Sequence, residues 1–210
     1  METKNAYYDI DFDLGCDLDS GLEDVFFLKD LQRRKFYLND SIDQYTVHQL
    51  ARHILQINRD DSGLPAEKRK PIILYVVSCG GEVDSGFEMI DVIESSVTPV
   101  YTVNLGYQYS MGFLIGLAGH KRYAMPNAKF LMHDGSNFVW NSGAKAQDQM
   151  EFNRKVEERI KRYVVSHSNV TPEEYDSKLR VEWYLFADDA KEKGFTDYII
   201  GADCPLDDVI

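Results

Sequence analysis

The chain has few cysteines and no long apolar run, the sequence features typical of secreted and membrane proteins. Its three cysteines, Cys16, Cys79 and Cys204, are far apart and odd in number, so they predict neither a disulfide framework nor a zinc site. No apolar run approaches the roughly 20 residues of a membrane span. The first residues lack the basic and apolar order of a signal peptide. We therefore expect a cytoplasmic protein in a reducing compartment.

Basic residues are also scarce. Lys and Arg number 23 against 35 Asp and Glu, which gives a net charge of −12. This charge would repel phosphates, so nucleic acid is excluded as a partner. The largest basic cluster, Arg33-Arg34-Lys35, is interpreted as a solvated edge before a strand.

Acidic residues concentrate near the start of the chain, where Asp9, Asp11 and Asp13 have the spacing of a calcium loop. The sixth position of that loop is Leu14 instead of glycine, and the twelfth is Ser20 instead of glutamate, so calcium binding is not predicted. We expect an acidic arm that orders against a partner. The sequence predicts no cofactor and no metal site.

Strands and helices alternate through the rest of the chain. At 210 residues and 44% apolar content, one sizeable core is expected. An edge strand is predicted at 35–38, and buried strands follow at 71–77, 100–105 and 129–133. Helices are predicted to begin at Ser41 and Asp84 as caps and at Met111, with further helices at 143–167, 172 onward and 187–193 and a last strand at 195–200. This alternation predicts an α/β fold with repeated βαβ units and a mainly parallel sheet.

Three groups of chemically useful residues follow the predicted buried strands. Gly80-Gly81 ends the first, Ser110 stands between the second and an apolar helix, and His133 closes the third. The carboxyl ends of parallel strands share one edge of a sheet, so these residues are expected to meet. A hydroxyl, an imidazole and flexible backbone N–H groups are the parts of a serine hydrolase.

Alternatives exist for two of these roles. Cys79 is a rival nucleophile, although a small residue in the glycine turn is its simpler interpretation. A carboxylate to orient His133 cannot be singled out by spacing: Asp134 is its direct neighbour and would point to the opposite face of a strand, and Asp84, Glu88, Asp91 and Glu182 stay open. The remaining four histidines are interpreted as structural or solvated.

Taken in order, these segments resemble the ClpP family of serine peptidases, family S14. The resemblance covers about residues 35–200. It is carried by 73–81, which ends in Ser-Cys-Gly-Gly, by Gly-x-x-x-Ser-Met-Gly at 106–112, by Leu-Met-His at 131–133 and by Ala-x-x-Ala-x-x-x-Gly-Phe-x-Asp at 187–197.

The resemblance implies the ClpP/crotonase-like fold and a set of site residues. Ser110 would be the nucleophile and His133 the base. Glu182 stands where the family usually has the aspartate of its triad. The N–H groups of Gly81 and Met111 would form the oxyanion hole. Substrate backbone would be held by residues on both sides of the cleft: Gly80, Gly81, Glu82, Asp134, Gly135 and Ser136.

The resemblance also implies an organisation and partners. Residues 1–34 would be an acidic N-terminal segment, 35–200 the protease domain with a long handle at about 136–168, and 201–210 a tail. Stacked heptameric rings would enclose the sites and degrade unfolded polypeptides supplied by a Clp-type AAA+ unfoldase. The alternatives are a weakened or inactive ring subunit and a crotonase-like acyl-CoA enzyme.

Overall fold

The computed structural model describes residues 22–135 and 142–210, in which seven strands form one sheet. The strands are β1 Lys35–Leu38, β2 Ile72–Ser78, β3 Val100–Tyr109, β4 Lys121–Ala124, β5 Lys129–Met132, β6 Trp183–Phe186 and β7 Tyr198–Ile199. The helices are α1 Leu22–Gln32, α2 Gln44–Asp60, α3 Val83–Glu94, α4 Met111–Leu117, α5 Gly143–Ser166, α6 Pro172–Lys178 and α7 Ala187–Glu192, with 3-10 turns at Ala66–Lys68 and Leu206–Val209. In this part of the chain no helix is long and apolar enough to cross a membrane.

The sheet is parallel except at one edge. Its main path runs β1-β2-β3-β4-β7, and β5 pairs in parallel with β3 while β6 pairs antiparallel with β5. Strand β3 changes partner along its length: residues 101–104 pair with β4, and residues 107–109 pair with β5. The predicted α/β fold with βαβ crossovers is therefore confirmed.

Most of the core lies between the sheet and helices α2, α3 and α4. Six of the seven residues of β2 are buried, as expected for a strand covered on both faces. All seven residues of α4 are buried, and Phe113 packs edge-on against Phe195. Full burial of a large apolar side chain stabilises the fold by about 1.5–3 kcal/mol.

A smaller apolar cluster covers the other face of the sheet. It contains Ile73, Tyr75, Val103, Tyr123, Ile200 and Val209. Val209 lies in the C-terminal 3-10 turn and is only 1% exposed, and its carbonyl accepts a hydrogen bond from the hydroxyl of Tyr75. The last residues of the chain thus pack directly on the sheet.

Two predicted helix caps are wrong. Helix α2 begins two residues later than predicted because Asp43, and not Ser41, accepts the N–H of Thr46 at 2.8 Å. Helix α3 is preceded by Glu82, which places Asp84 inside the first turn instead of at the cap. A carboxylate within the first turn still stabilises a helix through the helix dipole.

Short strands were the elements that the sequence pattern placed least well. Strand β4 was not predicted, because its exposed start, Lys121-Arg122, does not have the pattern of a buried strand. Strand β5 ends at Met132, so His133 follows the strand instead of closing it. The last strand is limited to Tyr198–Ile199.

The prediction that the basic cluster before β1 is a solvated edge is wrong. Only Arg33 is exposed, while Lys35 is 8% exposed. The guanidinium of Arg34 donates to both carboxylate oxygens of Asp61, at 2.6 and 2.8 Å. The residue that pairs with Arg34 lies far along the chain, because Asp61 directly follows α2. The acidic residues 9–20 lie outside the described residues, and α1 begins after them, at Leu22.

Candidate active site

Ser110 occupies a sharp turn between β3 and α4. Its backbone has φ 53° and ψ −123°, a conformation that residues with a side chain rarely adopt. Its N–H donates to the carbonyl of Leu131 at 2.9 Å, and its side chain makes no capping hydrogen bond to the helix. A strained strand-to-helix turn of this kind exposes a serine hydroxyl at the end of a sheet.

Gly80 lies directly against this turn. A β-carbon at Gly80 would stand 2.7 Å from Cβ of Ser110 and 2.9 Å from the carbonyl oxygen of Tyr109. The backbone of Gly80 has φ 98°, which favours glycine, and its N–H donates to the hydroxyl of Ser78 at 3.1 Å. Only a residue without a side chain lets the two turns approach this closely.

Gly81 and Met111 bring backbone donors to the same place. Gly81 has φ 157° and lies so close to Ile42 that a β-carbon would stand 2.1 Å from its carbonyl oxygen. The carbonyl of Ile42 accepts the N–H of Glu82 at 2.7 Å, which fixes this segment. Met111 is the first residue of α4, and the first N–H groups of a helix have no partner within it.

A cleft of about 300 Å³ brings the predicted residues together. Ser110, His133, Gly81 and Met111 all line it. Cys79 and Gly135 also line it, and the remaining walls are formed by residues of α3, α4, α5, α6 and β5: Val83, Phe113, Leu114, Met132, Asn153, Val156, Glu157, Ile160 and Tyr175. A hydroxyl, an imidazole and backbone donors can therefore act on one bound carbonyl.

Glu182 lies beside His133 through the antiparallel pairing of β5 and β6. Because Met132 pairs with Trp183, the next residues outward on each strand, His133 and Glu182, are neighbours. Oε1 of Glu182 lies 3.9 Å from Nδ1 of His133, which is longer than a hydrogen bond. Its other oxygen, Oε2, accepts the hydroxyl of Tyr184 at 2.7 Å. This hydrogen bond is the main cause of a raised pKa at Tyr184.

The predicted substrate-binding residues stand on both sides of the cleft. Glu82 precedes α3 and accepts the hydroxyl of Ser85 at 2.8 Å, so its carboxylate is directed to the helix start. Asp134 and Gly135 follow His133 and are exposed. Ser136 lies outside the described residues.

Comparison with known proteins adds independent information. A family model described as Clp protease matches residues 24–203. The chain belongs to the Clp protease family. An "ATP-dependent Clp protease proteolytic subunit 2" of Tropheryma whipplei is 29% identical over 172 residues, 80% of this chain and 92% of the relative. A subunit 1 of Streptomyces avermitilis is 31% identical over 185 residues, 85% of this chain and 79% of the relative.

Membership of the Clp protease family identifies the general chemistry. Its proteolytic subunits are serine proteases with the ClpP/crotonase-like fold, and the chain is accordingly a peptidase, a hydrolase of peptide bonds. A third relative, a subunit 2 of Treponema pallidum, is 28% identical over 180 residues and covers 85% of this chain. The family match leaves the crotonase-like acyl-CoA alternative without support.

The cleft of this Clp protease family member includes residues that sequence reasoning did not assign. Asn153, Val156, Glu157 and Ile160 project from one face of α5, and Tyr175 reaches it from α6. The spacing of the first four, at i, i+3, i+4 and i+7, was available as a signal. Burial raises the pKa of Tyr175 to about 12, with Glu157 as the next cause.

Cys79 lines the cleft, but the residue with which its thiol interacts is Tyr107. It is exposed, and its thiol interacts with Tyr107, whose pKa is raised first by the electrostatic effect of Cys79. The backbone at Ser110, and not at Cys79, has the strained turn and the helix start. The other four histidines lie away from the cleft; His120, for example, accepts the N–H of Val100 at 3.1 Å.

Proposed function

We propose that this chain is a serine-type endopeptidase that cleaves unfolded polypeptides. The observation that carries the proposal is the common cleft of Ser110, His133, Gly81 and Met111. The strained turn at Ser110 supports it, because a strained backbone at a residue with a hydroxyl is characteristic of functional sites.

In the proposed reaction His133 accepts the proton of the Ser110 hydroxyl as its oxygen attacks the substrate carbonyl. The N–H groups of Gly81 and Met111 stabilise the negative oxygen of the tetrahedral intermediate. His133 then protonates the leaving amine, and water hydrolyses the acyl-enzyme by the same route. Glu182 orients the imidazole, which requires its carboxylate to approach closer than the 3.9 Å seen here.

Substrate binding is proposed to use the backbone on both sides of the cleft. Gly80, Gly81 and Glu82 on one side and Asp134, Gly135 and Ser136 on the other would hold an extended peptide as an added strand. Such binding recognises the main chain, which suits unfolded polypeptides of varied sequence.

The proposal includes assembly into stacked heptameric rings. Helix α5 supports it: 24 residues give a length of about 36 Å, and Val164 is its one buried residue. Met150 and Phe152 on this helix are 63% and 62% exposed, which is unfavourable for apolar side chains in an isolated chain. Burial against a further copy would relieve this exposure.

A Clp-type AAA+ unfoldase is proposed as the partner that supplies substrate. Its support is the phrase "ATP-dependent" in the names of the relatives. The cytoplasm is proposed as the compartment on the basis of the three widely spaced cysteines.

One specific observation favours a second candidate, an idle ring subunit. The carboxylate of Glu182 accepts a hydrogen bond from the hydroxyl of Tyr184 and is beyond hydrogen-bond distance of His133. Labelling with a fluorophosphonate probe separates the two candidates. An active protease is labelled at Ser110 and hydrolyses fluorogenic peptides, and both signals vanish in Ser110→Ala. No labelling of the wild-type assembly would favour the idle subunit, and full peptidase activity in Ser110→Ala would overturn the serine mechanism.

A further inference from the structure

Ser78 is a buried polar residue at the end of β2. It is 1% exposed, and every other residue of β2 is aliphatic or aromatic. A hydroxyl in such surroundings is unfavourable unless it is hydrogen-bonded. The pairing of β2 with β3 is regular up to Val76 and shifts register between Val76 and Ser78. Irregularities of this kind are common beside active sites, where they change the direction of the residues that follow.

The hydroxyl of Ser78 connects two segments of backbone. It donates to the carbonyl of Asp40 at 2.6 Å and accepts the N–H of Gly80 at 3.1 Å. Asp40 follows β1, and Gly80 begins the glycine turn beside the cleft. Ser78 therefore ties the glycine turn to the segment between β1 and α2.

A second set of hydrogen bonds fixes the peptide between Gly80 and Gly81. The carbonyl of Gly80 accepts the N–H of Ile42 at 3.0 Å, and the N–H of Glu82 donates to the carbonyl of Ile42 at 2.7 Å. The peptide is trans, and in a trans peptide the carbonyl and the N–H point in opposite directions. The N–H of Gly81 is therefore directed away from Ile42. Gly81 lines the cleft and Ile42 does not, so this direction suits a donor to a bound carbonyl.

Ser78 also lies against the helix that carries the other proposed donor. A β-carbon at Gly112 would stand 3.0 Å from Cβ of Ser78 and 2.9 Å from its carbonyl oxygen. Gly112 is the second residue of α4 and directly follows Met111. One buried residue thus adjoins both backbone segments that are proposed to supply the N–H groups of the oxyanion hole.

We propose that Ser78 is a positioning residue of this oxyanion hole. Its hydroxyl holds the N–H of Gly80 in one orientation, which fixes the next peptide so that the N–H of Gly81 meets the carbonyl oxygen of the substrate. The role rests on the proposed serine mechanism and adds to it a side chain that does not line the cleft. An oxyanion hole is effective because its donors are oriented before the reaction. Loosening the turn is therefore expected to slow the chemical step without weakening substrate binding.

Steady-state kinetics of the full-length protein with a fluorogenic peptide tests the proposal. Ser78→Ala is expected to lower kcat about 10- to 100-fold and to leave KM within about twofold, a smaller loss than when a donor itself is removed. A peptide boronic acid, which forms a tetrahedral adduct on a serine hydroxyl, should lose affinity by the same factor as kcat.

Ser96→Ala is the matched control. Ser96 is 8% exposed, and its hydroxyl donates to the carbonyl of Thr98 at 2.6 Å and accepts a side-chain N–H of Asn58 at 2.6 Å. It does not line the cleft. Thermal unfolding measures the stability of both variants. We expect both to lose stability, because each removes a buried hydrogen-bonded hydroxyl, and only Ser78→Ala to lose kcat.

A second variant covers the case in which Ser78→Ala does not fold. Ser78→Cys keeps the shape of the side chain, but a thiol is a weaker donor and acceptor than a hydroxyl. Its kcat is expected to fall about three- to tenfold, again with little change in KM.

Four results would overturn the role of Ser78. One is a kcat in Ser78→Ala equal to that in Ser96→Ala, and another is a rise in KM with kcat unchanged. A third is unchanged affinity for the boronic acid while kcat falls, which would assign the loss to a step other than oxyanion stabilisation. These three leave the serine mechanism in place. The fourth, a wild type without peptidase activity or fluorophosphonate labelling, would remove the mechanism together with the role.

Discussion

The hydroxyl of Tyr184 donates a hydrogen bond of 2.7 Å to Oε2 of Glu182. These residues are two apart at the start of β6, so the bond is local and forms without help from His133. The carboxylate that the family resemblance assigns to the triad is thus held by a neighbour on its own strand. In the proposed mechanism Glu182 must leave that neighbour to approach the histidine.

Glu182→Gln is expected to lower kcat for a fluorogenic peptide by about 10- to 100-fold, because the amide cannot stabilise an imidazolium as a carboxylate does. The loss is smaller than for a buried triad carboxylate, since Glu182 is 60% exposed and water partly replaces it. Steady-state kinetics on assembled protein measures the change. Glu173→Gln, an exposed change on α6, is the matched control, and an unaltered kcat in Glu182→Gln would remove Glu182 from the mechanism.

Tyr184→Phe is expected to raise kcat about two- to fivefold. It removes the hydroxyl that holds Oε2 and frees the carboxylate to turn to His133. The same kinetic assay measures it. A fall in kcat would mean that Tyr184 holds Glu182 in its productive position instead of competing for it.

Gly80→Ala is expected to abolish labelling of Ser110 and to destabilise the fold by about 1–3 kcal/mol. The new β-carbon would stand 2.7 Å from Cβ of Ser110, and the backbone at φ 98° disfavours any side chain. Urea denaturation and probe labelling measure the two effects. Gly63→Ala provides the control, because a β-carbon there meets nothing within 4 Å; equal behaviour of the two variants would contradict the close approach of the turns.

Asp61→Asn is expected to destabilise the fold by about 3–5 kcal/mol, because it removes the negative charge that accepts two hydrogen bonds from the guanidinium of Arg34. The side chain of Arg34 is 11% exposed. The free energy of unfolding, measured in urea at neutral pH, tests this value. The exposed Asp207→Asn serves as the control, and a loss of less than about 1 kcal/mol would contradict the role of the pair.

The same carboxylate predicts a pH dependence. Burial acts to raise the pKa of Asp61, but hydrogen bonds and attraction from Arg34, with a hydrogen bond from Thr98, outweigh burial and lower it. Because the folded pKa lies below the unfolded value of about 3.9, this stabilisation is complete above that value and is lost as pH falls through the folded pKa. Unfolding free energies measured from neutral pH into the acid range should fall less steeply in Asp61→Asn than in the wild type; identical slopes would contradict it.

Phe152→Glu on α5 is expected to reduce the assembled fraction strongly at micromolar concentration, because Phe152 is 62% exposed in the single chain and would be buried between copies. Sedimentation velocity measures the distribution of species. Gln147→Glu introduces the same charge on the same helix at an exposed polar position. Unchanged assembly in Phe152→Glu would exclude this part of the handle from the ring contact.

The parts of the site that the sequence predicted are those that interrupt a regular pattern. Gly80 and Gly81 follow the seven residues of β2 and Cys79, and Ser110 directly precedes an apolar helix whose start at Met111 was predicted as the structure has it. Such interruptions are local, so a single sequence reveals them.

The parts that could not be predicted depend on contacts between distant residues. Glu182 lies beside His133 because β6 pairs antiparallel with β5, some fifty positions earlier in the chain, and four-residue strands leave little pattern to detect. The burial of Arg34 depends in the same way on Asp61, 27 positions later. Neither pairing leaves a periodic signal in the sequence.

Because β3 changes partner along its length, its second half pairs with β5 and sets the position of His133, the residue after β5. His133 is located by three backbone pairings, Tyr107 with Lys129, Gln108 with Phe130 and Tyr109 with Leu131. An insertion of one residue between Ala124 and Lys129 would slide β5 by about 3.3 Å and turn its side chains to the opposite face. That short connection therefore tolerates changes of residue type far better than changes of length.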